Sequence, residues 1–348
     1  MWIQLGLSRS IDVYKRRGAS IVSRCVVGDG IYAGEPGFGD PRAQTVKLDR
    51  TDFRELWRTP SEGASPERQY GTVLLMAGVQ TVGVDAETGK RVWARQSRWG
   101  PLDWRGRLVL QTTDALEVVD PKAGEVQERI EVPGGMAWGM LVGDLLLQKK
   151  DFGGVVRLFD LTERRLLWER DLYAESEVPE DPRPIGLRDP KPGCALHFVA
   201  GGPGRFVMVA GAETFGCSLE DGRVLWRASV PVHYNWPNVH EGRVYVLDIG
   251  RFVALDEATG EVVYDVRPPE LYGAIRGRPG TIYGDQIAFA NESGHLFVFN
   301  LRNGKLVWWY KHGAPLWATA EADGRLLVST GDGRLLVFTE SGSGPYAH

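Results

Sequence analysis

The chain has 348 residues, of which 43% are apolar, and a formal net charge of -4 at pH 7. Its 41 basic residues are offset by 45 acidic ones, so no basic field exists to attract a nucleic-acid backbone. Glycine is abundant, with 44 residues, but it follows no three-residue period and accompanies substantial apolar content. This composition excludes collagen-like and disordered chains.

The N-terminal region carries no targeting signal that we recognise. Residues 1–18 place apolar residues before basic ones and lack both a continuous apolar stretch and a small-residue cleavage site, so we expect a cytoplasmic protein. No apolar run approaches the roughly 18 residues that a membrane span requires. Cys25, Cys194 and Cys217 are odd in number and widely separated, which predicts buried thiols rather than disulfides or a zinc site.

A hairpin-like repeat runs along the whole chain. Clear copies are TVGVDAETGKRVWAR (Thr81–Arg95), FVALDEATGEVVYDV (Phe252–Val266) and LFVFNLRNGKLVWWY (Leu296–Tyr310). In six of seven copies a short polar residue stands eight places before an aromatic one. These pairs are Asp49 and Trp57, Asp85 and Trp93, Asp160 and Trp168, Ser218 and Trp226, Asp256 and Tyr264, and Asn300 and Trp308. The copy with Asp120 departs from the pattern, because Glu128 occupies its aromatic position.

The spacing predicts two strands joined by a tight turn. The polar side chain can accept a hydrogen bond from the backbone N–H two residues later, and a glycine four places after it supplies a positive φ. That glycine is present in five copies, as Gly89, Gly124, Gly222, Gly260 and Gly304. A second glycine turn precedes each hairpin and opens another apolar run, at Gly28, Gly71, Gly106, Gly143, Gly204, Gly242, Gly284 and Gly324.

Four strands per unit, repeated about every 40 residues, are typical of propeller blades. Seven units are complete, and the eighth lacks its last strand, which we expect the segment Met1–Gly6 to supply. We therefore predict an all-β, eight-bladed β-propeller of four-stranded antiparallel blades, forming a single domain over residues 1–348 and closed by the N-terminal strand. Seven blades is the alternative. Residues 173–193 interrupt the repeat with a Pro-rich acidic insertion, predicted to be an exposed loop or, alternatively, a binding element.

The motif x-A-L-D-x-x-T-G-x-x-x-W, carried by residues 254–264 and 84–93, resembles the tryptophan-docking repeat of the pyrroloquinoline-quinone-type propellers. The resemblance implies that each such aromatic packs on the adjoining blade. The docking positions would be Trp57, Trp93, Trp168, Trp226, Tyr264 and Trp308. This superfamily includes quinoprotein dehydrogenases, barrel-assembly lipoproteins and other scaffolds. The chain lacks the vicinal cysteine pair of the quinoproteins, so we expect no quinone cofactor. Cys25 follows no apolar stretch of the kind that precedes a lipidated cysteine, so the role of a barrel-assembly lipoprotein loses its main support.

A second set of aromatic residues recurs near the predicted first strand of five blades: Trp104, Trp138, Trp236, Tyr272 and Trp317. One hypothesis is that they fill gaps between blades. The other is that they form an aromatic rim that binds a peptide, a protein loop or a flat ligand.

Catalytic and metal-binding motifs are missing from the sequence. His233 and His240 stand seven residues apart with no cysteine or metalloprotease spacing near them, and His197, His295, His312 and His348 form no recognisable cluster. We therefore expect a non-catalytic, soluble, monomeric scaffold that binds an unidentified protein partner through one face and the channel mouth. The alternative is a ligand-binding protein or a quinone-dependent enzyme that uses the central channel.

Overall fold

The computed structural model describes residues 9–15, 26–35, 44–61, 64–78, 80–97, 100–132, 139–149, 155–172, 197–210, 213–230, 237–248, 250–267, 280–332 and 334–340. All regular structure in these ranges is β-strand, and the strands form eight four-stranded antiparallel sheets. The fold is that of an eight-bladed β-propeller, as predicted. Within the described ranges, no helix could cross a membrane.

The strands are numbered in chain order, and each blade uses four of them. Blade 1 contains β2 (Val26–Val27), β3 (Gly30–Glu35), β4 (Gln44–Leu48) and β5 (Glu55–Pro60), and blade 2 contains β6 (Ser65–Tyr70), β7 (Val73–Ala77), β8 (Gln80–Asp85) and β9 (Arg91–Gln96). Blade 3 contains β10 (Leu102–Trp104), β11 (Arg107–Gln111), β12 (Ala115–Val119) and β13 (Val126–Glu131). Blade 4 contains β14 (Gly139–Val142), β15 (Leu145–Lys149), β16 (Val155–Asp160) and β17 (Arg165–Asp171). Blade 5 contains β18 (His197–Ala200), β19 (Arg205–Ala210), β20 (Glu213–Ser218) and β21 (Val224–Ala228). Blade 6 contains β22 (Asn238–His240), β23 (Arg243–Asp248), β24 (Arg251–Asp256) and β25 (Val262–Val266). Blade 7 contains β26 (Thr281–Tyr283), β27 (Gln286–Ala290), β28 (His295–Asn300) and β29 (Leu306–Lys311). Blade 8 contains β30 (Leu316–Ala322), β31 (Arg325–Thr330), β32 (Arg334–Glu340) and β1 (Arg9–Lys15).

The blades group into two compact units. The first unit contains blades 1, 2, 7 and 8 together with the turn Pro121–Gly124. The second unit contains the rest of blade 3 and blades 4 to 6.

The N-terminal strand completes blade 8 of the first unit, as predicted, but it begins later than Met1. β1 pairs antiparallel with β32, from Arg9 opposite Glu340 to Lys15 opposite Arg334. The segment R-S-I-D-V-Y-K alternates apolar and polar residues and is β-branched at Ile11 and Val13, which suits a strand better than the glycine-containing segment Met1–Gly6. Residues 1–8 lie outside the described ranges.

Both predicted turn types are present. The eight glycines of the first turn all have a left-handed φ, between 55° and 77°. In the second turn the position four places after the polar residue is left-handed in all seven copies. Two copies have a residue other than glycine there, Phe53 with φ 56° and Arg164 with φ 52°. The polar side chain also bonds as predicted, since Asp256 Oδ1 accepts from the Ala258 N–H at 3.0 Å.

The cores lie between neighbouring blades of each unit. In the second unit, valines of β19 and β23 pack with Val253 and Leu255 of β24 and with Trp226. The second and third strands of a blade are therefore buried on both faces and read as continuous apolar runs. The fourth strands are more exposed, with large apolar side chains such as Leu225 facing solvent.

Candidate functional site

Four predicted docking residues donate a hydrogen bond from the indole N–H to the backbone of the next copy of the repeat. The bonds are Trp57 to Ala86 O at 3.1 Å, Trp93 to Pro121 O at 2.8 Å, Trp168 to Leu219 O at 2.8 Å, and Trp226 to Glu257 O at 2.9 Å. Each acceptor directly follows the polar residue of its copy. The same indoles lie over the turn glycines, so that a Cβ on Gly260 would lie 2.5 Å from the Trp226 ring.

The other two docking positions are placed differently. Trp308 of blade 7 packs on Phe338 of blade 8, with ring centroids 5.1 Å apart. Tyr264 packs within its own blade on Phe252, at 5.7 Å. Burial, followed by the neighbouring Tyr245, raises the pKa of the Tyr264 phenol.

The structure describes two members of the second aromatic set, and they differ in exposure. Trp104 is the last residue of β10 and is 6% exposed; it packs in the cluster between blades 3 and 4. Trp317 is the second residue of β30, at the opposite end of its strand, and is 40% exposed. Trp138, Trp236 and Tyr272 lie outside the described residues, as does the insertion 173–193.

Strand direction places Trp317 at one end of blades 7 and 8. In an antiparallel four-stranded blade, the turn between the second and third strands and the exit of the fourth strand lie at the same end. We call this end the loop end and define it by Asn291–Gly294, His312–Pro315 and Gly331–Asp332. Its three segments are bonded to one another: His312 N donates to Gly294 O at 2.7 Å, Leu316 N to Asn291 O at 3.0 Å, and Gly331 N to Pro315 O at 2.7 Å.

A polar network joins blades 7 and 8 at the loop end. The buried His312 ring contacts Asp332 Oδ1 through Nε2 at 3.1 Å and the Tyr310 hydroxyl through Nδ1 at 3.2 Å. Asp332 also accepts from the Thr330 hydroxyl at 2.5 Å and pairs with Arg334 at 3.1 Å. Burial raises the pKa of the Asp332 carboxyl, but the hydrogen bonds from Thr330 and His312 outweigh it and hold that pKa below its ordinary value.

This network links the loop-end segments of the two blades. Both ring nitrogens of His312 contact protein groups, Asp332 of blade 8 and Tyr310 of blade 7. Among the described residues, no group of three or more His, Cys, Asp or Glu side chains is placed to bind a metal ion. Cys217, the one cysteine in the described ranges, is fully buried among Phe206, Met208 and Phe215.

The sequence contains no signal for the His312 network. Its members come from two blades; His312 and Asp332, which join them, are 20 residues apart, and neither the spacing of His312 nor that of Asp332 matches a motif. His240 is described and lies 3.8 Å from Glu241, whereas His233 is outside the described residues.

The sequence matches one family model. The model is described as outer membrane protein assembly factor BamB, and it matches residues 153–345, more than half of the chain. The chain belongs to this family. The match places it in the pyrroloquinoline-quinone-like propeller superfamily, as its repeat indicated. No curated protein sequence matches it significantly.

Three solved structures resemble the chain in fold. BamB from Moraxella catarrhalis is 15% identical, with 99% of each chain covered and a TM-score of 0.61. The computationally designed Ika8 protein is 11% identical, covering 93% of this chain and 97% of its own, with a TM-score of 0.65. Sqt1 from Saccharomyces cerevisiae is 11% identical, covering 95% of this chain and 98% of its own, with a TM-score of 0.68.

Proposed function

We propose that this protein is a non-catalytic propeller scaffold that binds a protein partner at the loop end of blades 7 and 8. The observation that carries the proposal is the exposure of Trp317. Of the large apolar residues that are exposed in the described ranges, Trp317 is the one aromatic, and the others lie on fourth strands. Tryptophan is enriched among residues that dominate binding energy at protein interfaces.

The surroundings of Trp317 support the same function. Its indole Nε1 would lie 3.0 Å from a Cβ on Gly331, so the ring rests against the turn of blade 8. That turn is bonded to Pro315 and is held by the His312 network. An aromatic on a rigid platform loses little entropy when it binds, which favours affinity. The family description, an assembly factor for outer membrane proteins, is also that of a protein acting on proteins.

The proposal is tested by binding with two matched variants. Immobilised wild-type chain, Trp317→Ala and Leu56→Ala are exposed to a lysate of the source organism. Leu56 is the control, because it is 43% exposed but lies on β5, away from the loop end. A specific protein retained by the wild type and by Leu56→Ala should bind Trp317→Ala about 30-fold more weakly. Both variants should melt within about 2 °C of the wild type, since exposed positions contribute little to stability.

Equal retention by Trp317→Ala would reject the loop end as the binding surface. A calorimetric titration with pyrroloquinoline quinone tests the channel-ligand alternative, and a saturable heat of binding would favour that alternative over the scaffold proposal.

Four further expectations stay predictions from the sequence: the absence of a cofactor, the absence of nucleic-acid binding, the monomeric state and the cytoplasmic location.

A further inference from the structure

The joint between blades 3 and 4, both in the second unit, is built differently from the indole joints. The aromatic position of the third repeat is Glu128, and the turn-glycine position of the fourth repeat is Arg164. The Arg164 Nη2 donates to Glu128 Oε1 at 2.5 Å. Both members of the indole–glycine contact are therefore exchanged, and the replacements contact each other as an ion pair.

The backbone of Arg164 indicates why an arginine occupies this turn. Its φ of 52° lies in the left-handed region, which disfavours any residue with a Cβ. The equivalent position is glycine in five repeats. A residue that accepts this conformation needs a compensating interaction, and the pairing with Glu128 supplies one.

A second set of charged contacts continues this joint. Asp144, at the first turn of blade 4, accepts from Trp104 Nε1 at 2.9 Å and from Arg105 Nε at 2.6 Å. The Arg107 guanidinium lies 5.3 Å from the Trp104 ring centroid and donates to Glu128 Oε2 at 2.8 Å. The contacts thus form one network from Asp144 through Trp104 and Arg107 to Glu128.

We propose that the joint between blades 3 and 4 is a charge-dependent seam that opens more readily at high salt than the indole joints of the second unit, because exposed ion pairs support the apolar cluster that this joint also buries. The Arg164 side chain is 59% exposed and that of Arg105 is 60% exposed, so dissolved ions reach both pairs. The screening length falls from about 10 Å at 0.1 M salt to about 3 Å at 1 M. Apolar burial, which such screening does not weaken, contributes to the 3–4 joint and to the indole joints alike, so the salt response should come from the exposed ion pairs of the 3–4 joint.

Thiol labelling at two equivalent positions tests the seam. Leu161 and Leu219 each follow the polar residue of their repeat, and they are buried at the 3–4 joint and at the 4–5 joint respectively. Leu219 accepts the indole bond of Trp168. Leu161→Cys and Leu219→Cys are made in the full chain and labelled at about 0.1 M and about 1 M salt. Peptide-level mass spectrometry measures each rate, with the buried Cys217 as an internal reference.

Salt should raise labelling of Leu161→Cys about two- to five-fold relative to Leu219→Cys, the range expected when exposed ion pairs are screened. The double change Glu128→Trp and Arg164→Gly rebuilds the indole–glycine pair and should reduce that response to what the remaining Arg105–Asp144 pair contributes. Glu128→Gln, which keeps the shape of the side chain, should label faster at low salt and respond less, and it preserves the test if the double variant does not fold. Equal salt responses at the two joints, or a full response in Glu128→Gln, would overturn the proposal.

Discussion

At two joints of the second unit, equivalent positions between neighbouring blades are occupied by chemically different side chains. Between blades 5 and 6, the Trp226 indole lies over Gly260 and donates to Glu257 O. Between blades 3 and 4, Glu128 and Arg164 occupy the corresponding positions and form an ion pair. The left-handed turn is the same in both, with φ 74° at Gly260 and 52° at Arg164. At the joint between blades 3 and 4, the backbone of the repeat thus keeps the same turn although both side-chain positions differ.

The largest expected effect comes from removing an indole. Trp226→Ala should lower the free energy of unfolding by about 3–5 kcal/mol, because it leaves a cavity between blades 5 and 6 and an unpaired carbonyl at Glu257. Urea unfolding measures this loss. The adjacent Leu225→Ala is the control; its side chain is exposed, and it should change stability by about 0.5 kcal/mol or less. Equal losses in the two variants would show that the indole is not what holds this joint.

A buried ion pair lies at the same indole joint, and breaking it should cause the second-largest loss of stability. The Glu257 side chain is 2% exposed and pairs with Arg205 at 2.6 Å. Arg205→Met would leave that carboxylate buried without its partner, at a cost of about 3 kcal/mol. Arg223→Met removes an exposed pair with Asp221 and should cost about 1 kcal/mol or less. Chemical denaturation of both variants makes the comparison, and a small loss for Arg205→Met would contradict the importance of burial.

Substitutions at the turn position should change the free energy of unfolding by different amounts at the two joints. Gly260→Ala forces a Cβ into a left-handed turn and against the Trp226 ring, so we expect a loss of about 2 kcal/mol. Arg164→Gly relieves the same backbone conformation but breaks the pair with Glu128, so its net change should stay within about 1 kcal/mol. Thermal unfolding of the two variants tests this asymmetry. A larger loss for Arg164→Gly would mean that the ion pair holds its joint more strongly than an indole does.

The smallest effect concerns pH at the joint between blades 3 and 4. Hydrogen bonds from Arg105 and Trp104 hold the pKa of the Asp144 carboxyl below its ordinary value. Its stabilising contribution is therefore complete above about pH 5 and is lost as the pH falls through the folded-state pKa. Asp144→Asn should be less stable than the wild type at about pH 6, and the difference should shrink towards about pH 3. A difference that grows on acidification would contradict the lowered pKa.

Local features of the blades were predictable because they depend on residues close in sequence. The hairpin turn of Asp256 and Gly260 depends on two local features. The Asp256 side chain accepts a hydrogen bond from the backbone N–H two residues later, and Gly260 adopts a positive φ. The left-handed conformation at Phe53 and Arg164 was not predictable from those residues, since neither favours it. There the surrounding hairpin imposes the geometry, and for Arg164 a contact 36 residues away supports it.

The candidate site was less predictable than the fold. Trp104 and Trp317 occupy similar places in the sequence pattern, yet one is buried at a joint and the other is exposed. The difference arises because Trp104 ends its short strand next to the turn of the following blade, whereas Trp317 begins a longer strand at the loop end. The pairing of His312 with Asp332 likewise depends on two connections meeting at that end.

By itself, the sequence determined the repeat, the strand pattern and the eight glycine turns, and it favoured eight blades over seven, because alternation and turn chemistry act over a few residues. Only the tertiary structure decided which segment completes blade 8, which aromatic faces solvent and where an ion pair replaces an indole. These outcomes depend on contacts between blades. Such contacts bury and hydrogen-bond residues that lie far apart in the sequence, so no local spacing reveals them.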